Sequence, residues 1–266
     1  VPALPSQLPV ANKVHAFSID DADTTEIDDA LSVQHLDDGS VRVGIHIAAP
    51  SAVIAPDSAM EKVVFQRLST VYFPGNKITM LPDNWGHAFS LDVGQLRPAL
   101  SIYFDVDAAW QVSLHSTVLE QVNVDANLRI QDIEPLFNHA QGTDLATDGA
   151  ETFAHQHDMV YLLQLAIALQ QQRGKYDPTR PTQYDYSIDL SEDGQVSIAK
   201  RERGSLIDTL VSEMMILANS TWAKMLHEGE RAAIYRVQPA GKVRMSTQSE
   251  AHIGMGVDHY AWCTSP

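Results

Sequence analysis

The chain has 266 residues, 44% apolar and 20% charged, with 34 acidic side chains against 18 basic for a formal charge of −16. That composition is ordinary for a globular protein and excludes a fibrous repeat or a wholly disordered chain. The single cysteine, Cys263, excludes an intrachain disulfide, and the longest apolar run, residues 160–169, is too short to cross a bilayer.

Residues 1–13 hold three prolines and read as an extended lead-in, with a single domain expected over 14–266. Residues 14–19 are a short strand. Two apolar runs, 31–34 and 41–47, flank Asp37-Asp38-Gly39-Ser40 and predict a hairpin. Ser58 caps a helix to about residue 68, with Met60, Val63, Val64 and Phe65 on its inner side. Residues 73–76 form a turn. Residues 100–106 and 111–124 alternate as paired strands, and 138–151 is polar enough for a surface loop. A long helix over 152–173 ends at Gly174. A second hairpin joins 184–190 to 195–199 around Glu192-Asp193-Gly194. Ser205 then caps a helix reaching about residue 226, before Gly229. The expected class is α+β, a mixed sheet packed with long helices.

The acid is uneven. Residues 1–150 carry 20 acidic and 7 basic side chains, and the remainder 14 and 11. A protein that grips nucleic acid through its phosphates normally shows a basic face. The balance therefore argues against such a partner, unless the acid binds metal or other domains supply the positive surface. The chain opens without Met and stops at Thr264-Ser265-Pro266, so a piece of a longer protein is expected.

The strongest chemical signal lies between Ile19 and Ala30. Asp20, Asp21, Asp23, Glu26, Asp28 and Asp29 crowd there with no Lys or Arg among them. Like charges a few ångströms apart repel, and a hard divalent cation relieves them. Oxygen-only ligation suits Mg²⁺, Mn²⁺ or Ca²⁺ rather than zinc. A helix-loop-helix calcium site needs a glycine at its sixth position, where this segment has Glu26 when counted from Asp21. A solvated acidic turn is the alternative. No His-Glu-x-x-His, Gly-x-Ser-x-Gly or phosphate-binding Gly-rich loop is present.

The run from Ile19 to Leu31 resembles the signature of the ribonuclease II family catalytic domain, often called the RNB domain. Further blocks resemble it in order: Val43-Gly44-Ile45-His46-Ile47-Ala48, Thr70-Val71-Tyr72-Phe73-Pro74, Met80-Leu81-Pro82, Ser90-Leu91, Arg97-Pro98-Ala99, Leu210 to Asn219, Ile234-Tyr235-Arg236, and Tyr260 to Pro266. The resemblance implies a cytoplasmic exoribonuclease that hydrolyses single-stranded RNA from its 3′ end with Mg²⁺, for which Mn²⁺ is a possible substitute. By position, Asp20, Glu26, Asp28 and Asp29 match the four acidic catalytic and metal-binding positions, with Glu26 where the family has Asp. Tyr72 matches a base-stacking aromatic, or is a core tyrosine. Glu213 matches an acid near the 3′-terminal nucleotide, or is an ordinary helix position. Arg97 and Arg236 meet phosphate or pair with nearby acids. A family tyrosine falls at Ile130. The family continues beyond Thr-Ser-Pro into an arginine-containing motif, and its flanking OB-fold RNA-binding domains are expected in the rest of the full-length protein. A catalytically impaired RNB-like domain that binds RNA or protein is the alternative.

Overall fold

The computed structural model describes residues 7–73, 76–141, 153–177, 183–191 and 195–235. Five strands close into a barrel in the order β1 (Ala16–Asp20), β2 (Asp29–His35), β3 (Val41–Ala48), β6 (Leu96–Val106) and β7 (Val112–Arg129). Neighbours pair antiparallel except at the seam, where β1 runs parallel to β7. The sheet is therefore mixed, as expected, and it is also closed. Between β3 and β6 lie a single 3₁₀ turn (Pro50–Val53), helix α1 (Ala59–Arg67), the two-stranded hairpin β4 (Val71–Phe73) and β5 (Asn76–Ile78), and the short helix α2 (Asp83–Phe89). Helices α3 (Ile130–Gln141) and α4 (Gln156–Gln172), the ribbon β8 (Gln183–Leu190) and β9 (Val196–Arg203), and α5 (Leu206–Glu228) follow.

Strand alternation gives the barrel wall two chemistries. Leu31, Val33, Val43, Ile45, Ile102 and Phe104 share one buried cluster with side chains of α3, α4 and α5. The intervening residues are small or polar: Ala16, Ala30 and Ala99 pack with Val122 and Val124 in a second cluster. In the same alternation, buried His46 bridges Ser32 and Ser101 at 3.0 and 2.8 Å. Burial pushes the His46 imidazole down to about 3. Gly44 is the residue that makes room, since a Cβ there would stand 2.4 Å from Ser32 Oγ. The pairing of β1 with β7 slips one residue between Ala16 and Phe17. The slip puts Val124 in the second cluster but Leu128 in the first.

Most of the expected elements stand where the pattern put them. Gly39, at φ 84°, turns the β2–β3 hairpin. Ser58 caps α1, and Ser205 with Asp208 forms a capping box on α5. The turn expected at 73–76 lies between two short strands, with Pro74 and Gly75 outside the described residues. Three expectations need correction. No residue of α1 is buried, and Phe65 is 68% exposed, because the helix lies outside both clusters. The expected loop at 138–151 begins inside α3, which continues to Gln141 through Pro135. The helix over 152–173 starts at Gln156, because His155 turns the chain in the left-handed region and stacks on Phe17 at 4.6 Å. The lead-in runs beside β7: Gln121 N–H donates to Pro9 O at 2.8 Å and Ala11 N–H donates to Gln121 O at 2.9 Å. Among the described residues no helix is long and apolar enough to cross a membrane.

Candidate active site

The acidic segment connects β1 to β2 at one end of the barrel, so the pairing of those strands fixes its two ends. Asp20 closes β1 and Asp29 opens β2. Ile27 is buried beneath the loop. Its N–H donates to Ser90 Oγ at 2.9 Å, and its carbonyl accepts from Leu91 N–H at 3.0 Å. Asp28 O accepts from Ala48 N–H at 2.8 Å. The backbone is thus clamped on both sides, which leaves the carboxylates as the groups able to adjust.

Asp20 accepts from Ser18 Oγ at 2.6 Å, and Asn127 Nδ2 donates to the same hydroxyl at 2.9 Å. Burial raises the Asp20 carboxyl, the Ser18 hydrogen bond and the Arg129 charge oppose, and Asp28 and Asp21 raise it further. Asp28 is raised by burial and then by Glu26, with Lys77 opposing. Asp29 has no such relief: burial, then Asp20, then Asp28 push its carboxyl up to about 6. Three of the four expected acids therefore interact with one another at the barrel mouth. Glu26 joins them through Asp28 but leans onto α2, where a Cβ on Gly86 would stand 2.1 Å from Glu26 Oε1. Among the described residues no three His, Cys, Asp or Glu side chains converge into a ready-made metal cage.

Cations come to the loop from other elements. Arg129, at the end of β7, donates Nη1–H to Asp21 O at 2.9 Å and to Thr24 O at 3.3 Å. Lys77 of β5 donates to Thr25 Oγ1 at 2.7 Å and lies 3.8 Å from Glu26 Oε2. Arg201 of β9 bridges Asp208 at 2.7 Å and Asp21 at 3.9 Å. Sequence reasoning missed these three, together with Ser18, Asn127, Ser90 and Gly86. Ser18 lies two residues from Asp20, whereas the others lie far along the chain from the residue they support and are brought to it by the fold.

The remaining expected residues stand on other elements. Tyr72 stands on β4 and is 74% exposed, so it is not a core tyrosine. Arg97 donates Nε–H to Ser90 O at 3.2 Å and a guanidinium N–H to Gln95, bracing the clamp behind Ile27. Glu213 is 3% exposed and forms an ion pair with Arg173, while Gln170 donates to it at 3.2 Å. These partners hold it at the packing of α4 against α5. Ile130 packs against the first apolar cluster. Arg236 lies outside the described residues, as does the block from Tyr260 to Pro266.

Residues 11–245 match the RNB domain model, and the chain belongs to that family. It is 29% identical over 228 residues to Exoribonuclease 2 of Haemophilus influenzae (strain PittGG), covering 84% of this chain and 34% of that protein. The chain thus spans about a third of the length of the curated relatives it matches. Its α+β fold is similar to Mycoplasma genitalium RNase R in complex with ribose methylated single-stranded RNA, at a TM-score of 0.75 and 17% identity over 89% of this chain and 36% of that one. It is also similar to yeast Ssd1, described as a pseudonuclease, at a TM-score of 0.61 and 18% identity over 85% and 28% of the two chains.

Proposed function

We propose that the chain is the catalytic domain of a 3′→5′ exoribonuclease that takes single-stranded RNA and releases nucleoside monophosphates. Asp20, Glu26, Asp28 and Asp29 would hold Mg²⁺, or Mn²⁺ in its place. The observation that carries this reading is the mutual coupling of Asp20, Asp28 and Asp29 at one end of the barrel, each raised by burial and by its neighbours. Arg129 and Lys77 offset this only in part at Asp20 and Asp28 and nothing offsets it at Asp29, so the set keeps affinity for positive charge. The donor set fits a hard cation, because every ligand is a carboxylate oxygen.

A bound divalent cation would supply an activated water and stabilise the leaving 3′ oxygen. This chain's own residues do the rest. Asp28 and Asp29 would hold the cation and orient the attacking water. Tyr72 offers an uncovered ring to a base, a contact that tolerates any sequence. OB-fold domains in the remaining length of the protein would supply the basic RNA-binding surface missing here. Labelled single-stranded RNA should be shortened from its 3′ end, and both EDTA and Asp28→Asn should abolish the release. Release that persists in Asp28→Asn sinks the mechanism.

One observation favours a second reading, an RNB-like module that binds RNA without cutting it. Glu26 is drawn onto α2 rather than toward the other acids, and the fold is shared with a pseudonuclease. Binding of RNA with no nucleotide released in either Mg²⁺ or Mn²⁺ would establish that alternative.

A further inference from the structure

Glu26 occupies an unusual position for a member of the acidic set. Its carboxylate lies against the bare Cα of Gly86, so close that a methyl group there would be 2.1 Å from Oε1 and 2.8 Å from Cδ. Glycine in the middle of a helix costs about 1 kcal/mol relative to alanine, so space at this point is obtained at the expense of α2. On its other side stands Lys77, 3.8 Å from Oε2 and fixed by its hydrogen bond to Thr25. Both partners lie in the stretch between β3 and β6 that leaves the barrel wall. Among the described residues the β4–β5 hairpin that carries Lys77 pairs only with itself, Val71, Tyr72, Phe73 and Ile78 are exposed, and none of its residues belongs to either buried cluster.

We infer that Lys77 is a built-in competitor of the divalent cation. Seated on β5, it holds Glu26 in the Gly86 cradle, and the fourth carboxylate turns to a metal only when the lysine lets go. This rests on the proposed metal-binding role of the acidic set. An ammonium and a divalent ion cannot both be close partners of one carboxylate without repelling each other. Occupancy of the site and the position of the hairpin are consequently linked: whatever draws the β4–β5 hairpin outward strengthens metal binding, and metal binding loosens the hairpin. Lys77 acts through Glu26 and is a positioning residue.

The test is Mn²⁺ binding to the purified protein, followed by the EPR signal of free Mn²⁺ in the absence of RNA. Lys77→Gln should bind Mn²⁺ about fivefold more tightly, and Lys77→Arg should bind like the native protein. The gain should fall by at least half when Lys77→Gln is made in a Glu26→Gln background, because Asp28 alone of the set then still feels the lysine's charge. No gain in Lys77→Gln overturns the inference. An equal gain in both backgrounds also overturns it, since that result belongs to long-range charge alone. Asp28→Asn serves as the separate control: if it binds Mn²⁺ as well as the native protein, the metal-site reading itself has failed. Matching thermal unfolding curves confirm that each variant is folded.

Discussion

The barrel mouth and the α4–α5 interface both bury carboxylates and meet the cost in opposite ways. Between the helices, Glu213 is sealed from solvent but held by Arg173 and Gln170. At the mouth, everything that acts on Asp29 raises it: burial, Asp20 and Asp28. The first arrangement is a structural solution, in which a charge is buried with its counterion. The second stores repulsion that a cation can relieve. Burial of an acid is thus uninformative by itself; the sign of its neighbours separates a brace from a reactive site.

The largest expected effect comes from removing the stored charge. Asp29→Asn should lower hydrolysis of RNA by on the order of a thousandfold while making the metal-free protein more stable by about 1–3 kcal/mol at neutral pH. Steady-state rates and urea unfolding measure the two, and a loss of both activity and stability would erase the contrast with Glu213. At the helix interface the sign reverses. Arg173→Met strands Glu213 without its cation and should cost about 3–5 kcal/mol of stability. A neutral result in chemical unfolding would mean that the pair contributes nothing.

The pH dependence sharpens the same contrast. A carboxyl whose folded value is raised from 3.8 to about 6 binds its proton more tightly in the fold than in the unfolded chain. The metal-free protein should therefore lose stability as pH climbs from about 4 to about 6, then level off. Asp29→Asn should flatten that slope in thermal melts, and an unchanged slope would reassign it to other groups. The smallest effect is expected at Tyr72. Its ring is mostly in solvent, so Tyr72→Ala should leave unfolding within about 0.5 kcal/mol. RNA binding, measured by fluorescence anisotropy, should weaken by about 1–3 kcal/mol.

What the sequence revealed followed local rules. The β2–β3 hairpin announced itself through Asp37-Asp38-Gly39-Ser40, and α5 through the cap residue Ser205. The acidic segment was legible because six acids without a base have few uses. What stayed hidden was long-range. Gly86 reads as a weak point in a seven-residue helix, and nothing near it in sequence names Glu26, sixty positions earlier. Glu213 sits at a position suited to a site, but Arg173 on α4 claims it, a pairing set by helix packing. Phe65 fits an amphipathic stripe; the stripe tells which side of α1 is apolar, not whether another element arrives to cover it.

The parallel seam between β1 and β7 has a consequence for synthesis. Ala16 meets Val124, and Asp20 meets Arg129, more than a hundred residues later. As the nascent polypeptide leaves the ribosome, the first acids emerge early and then wait, unsupported, until the last barrel strand arrives. Closure of so distant a contact is slow and comes late. The acidic set therefore cannot take its place at the barrel mouth until nearly half of this stretch has been made.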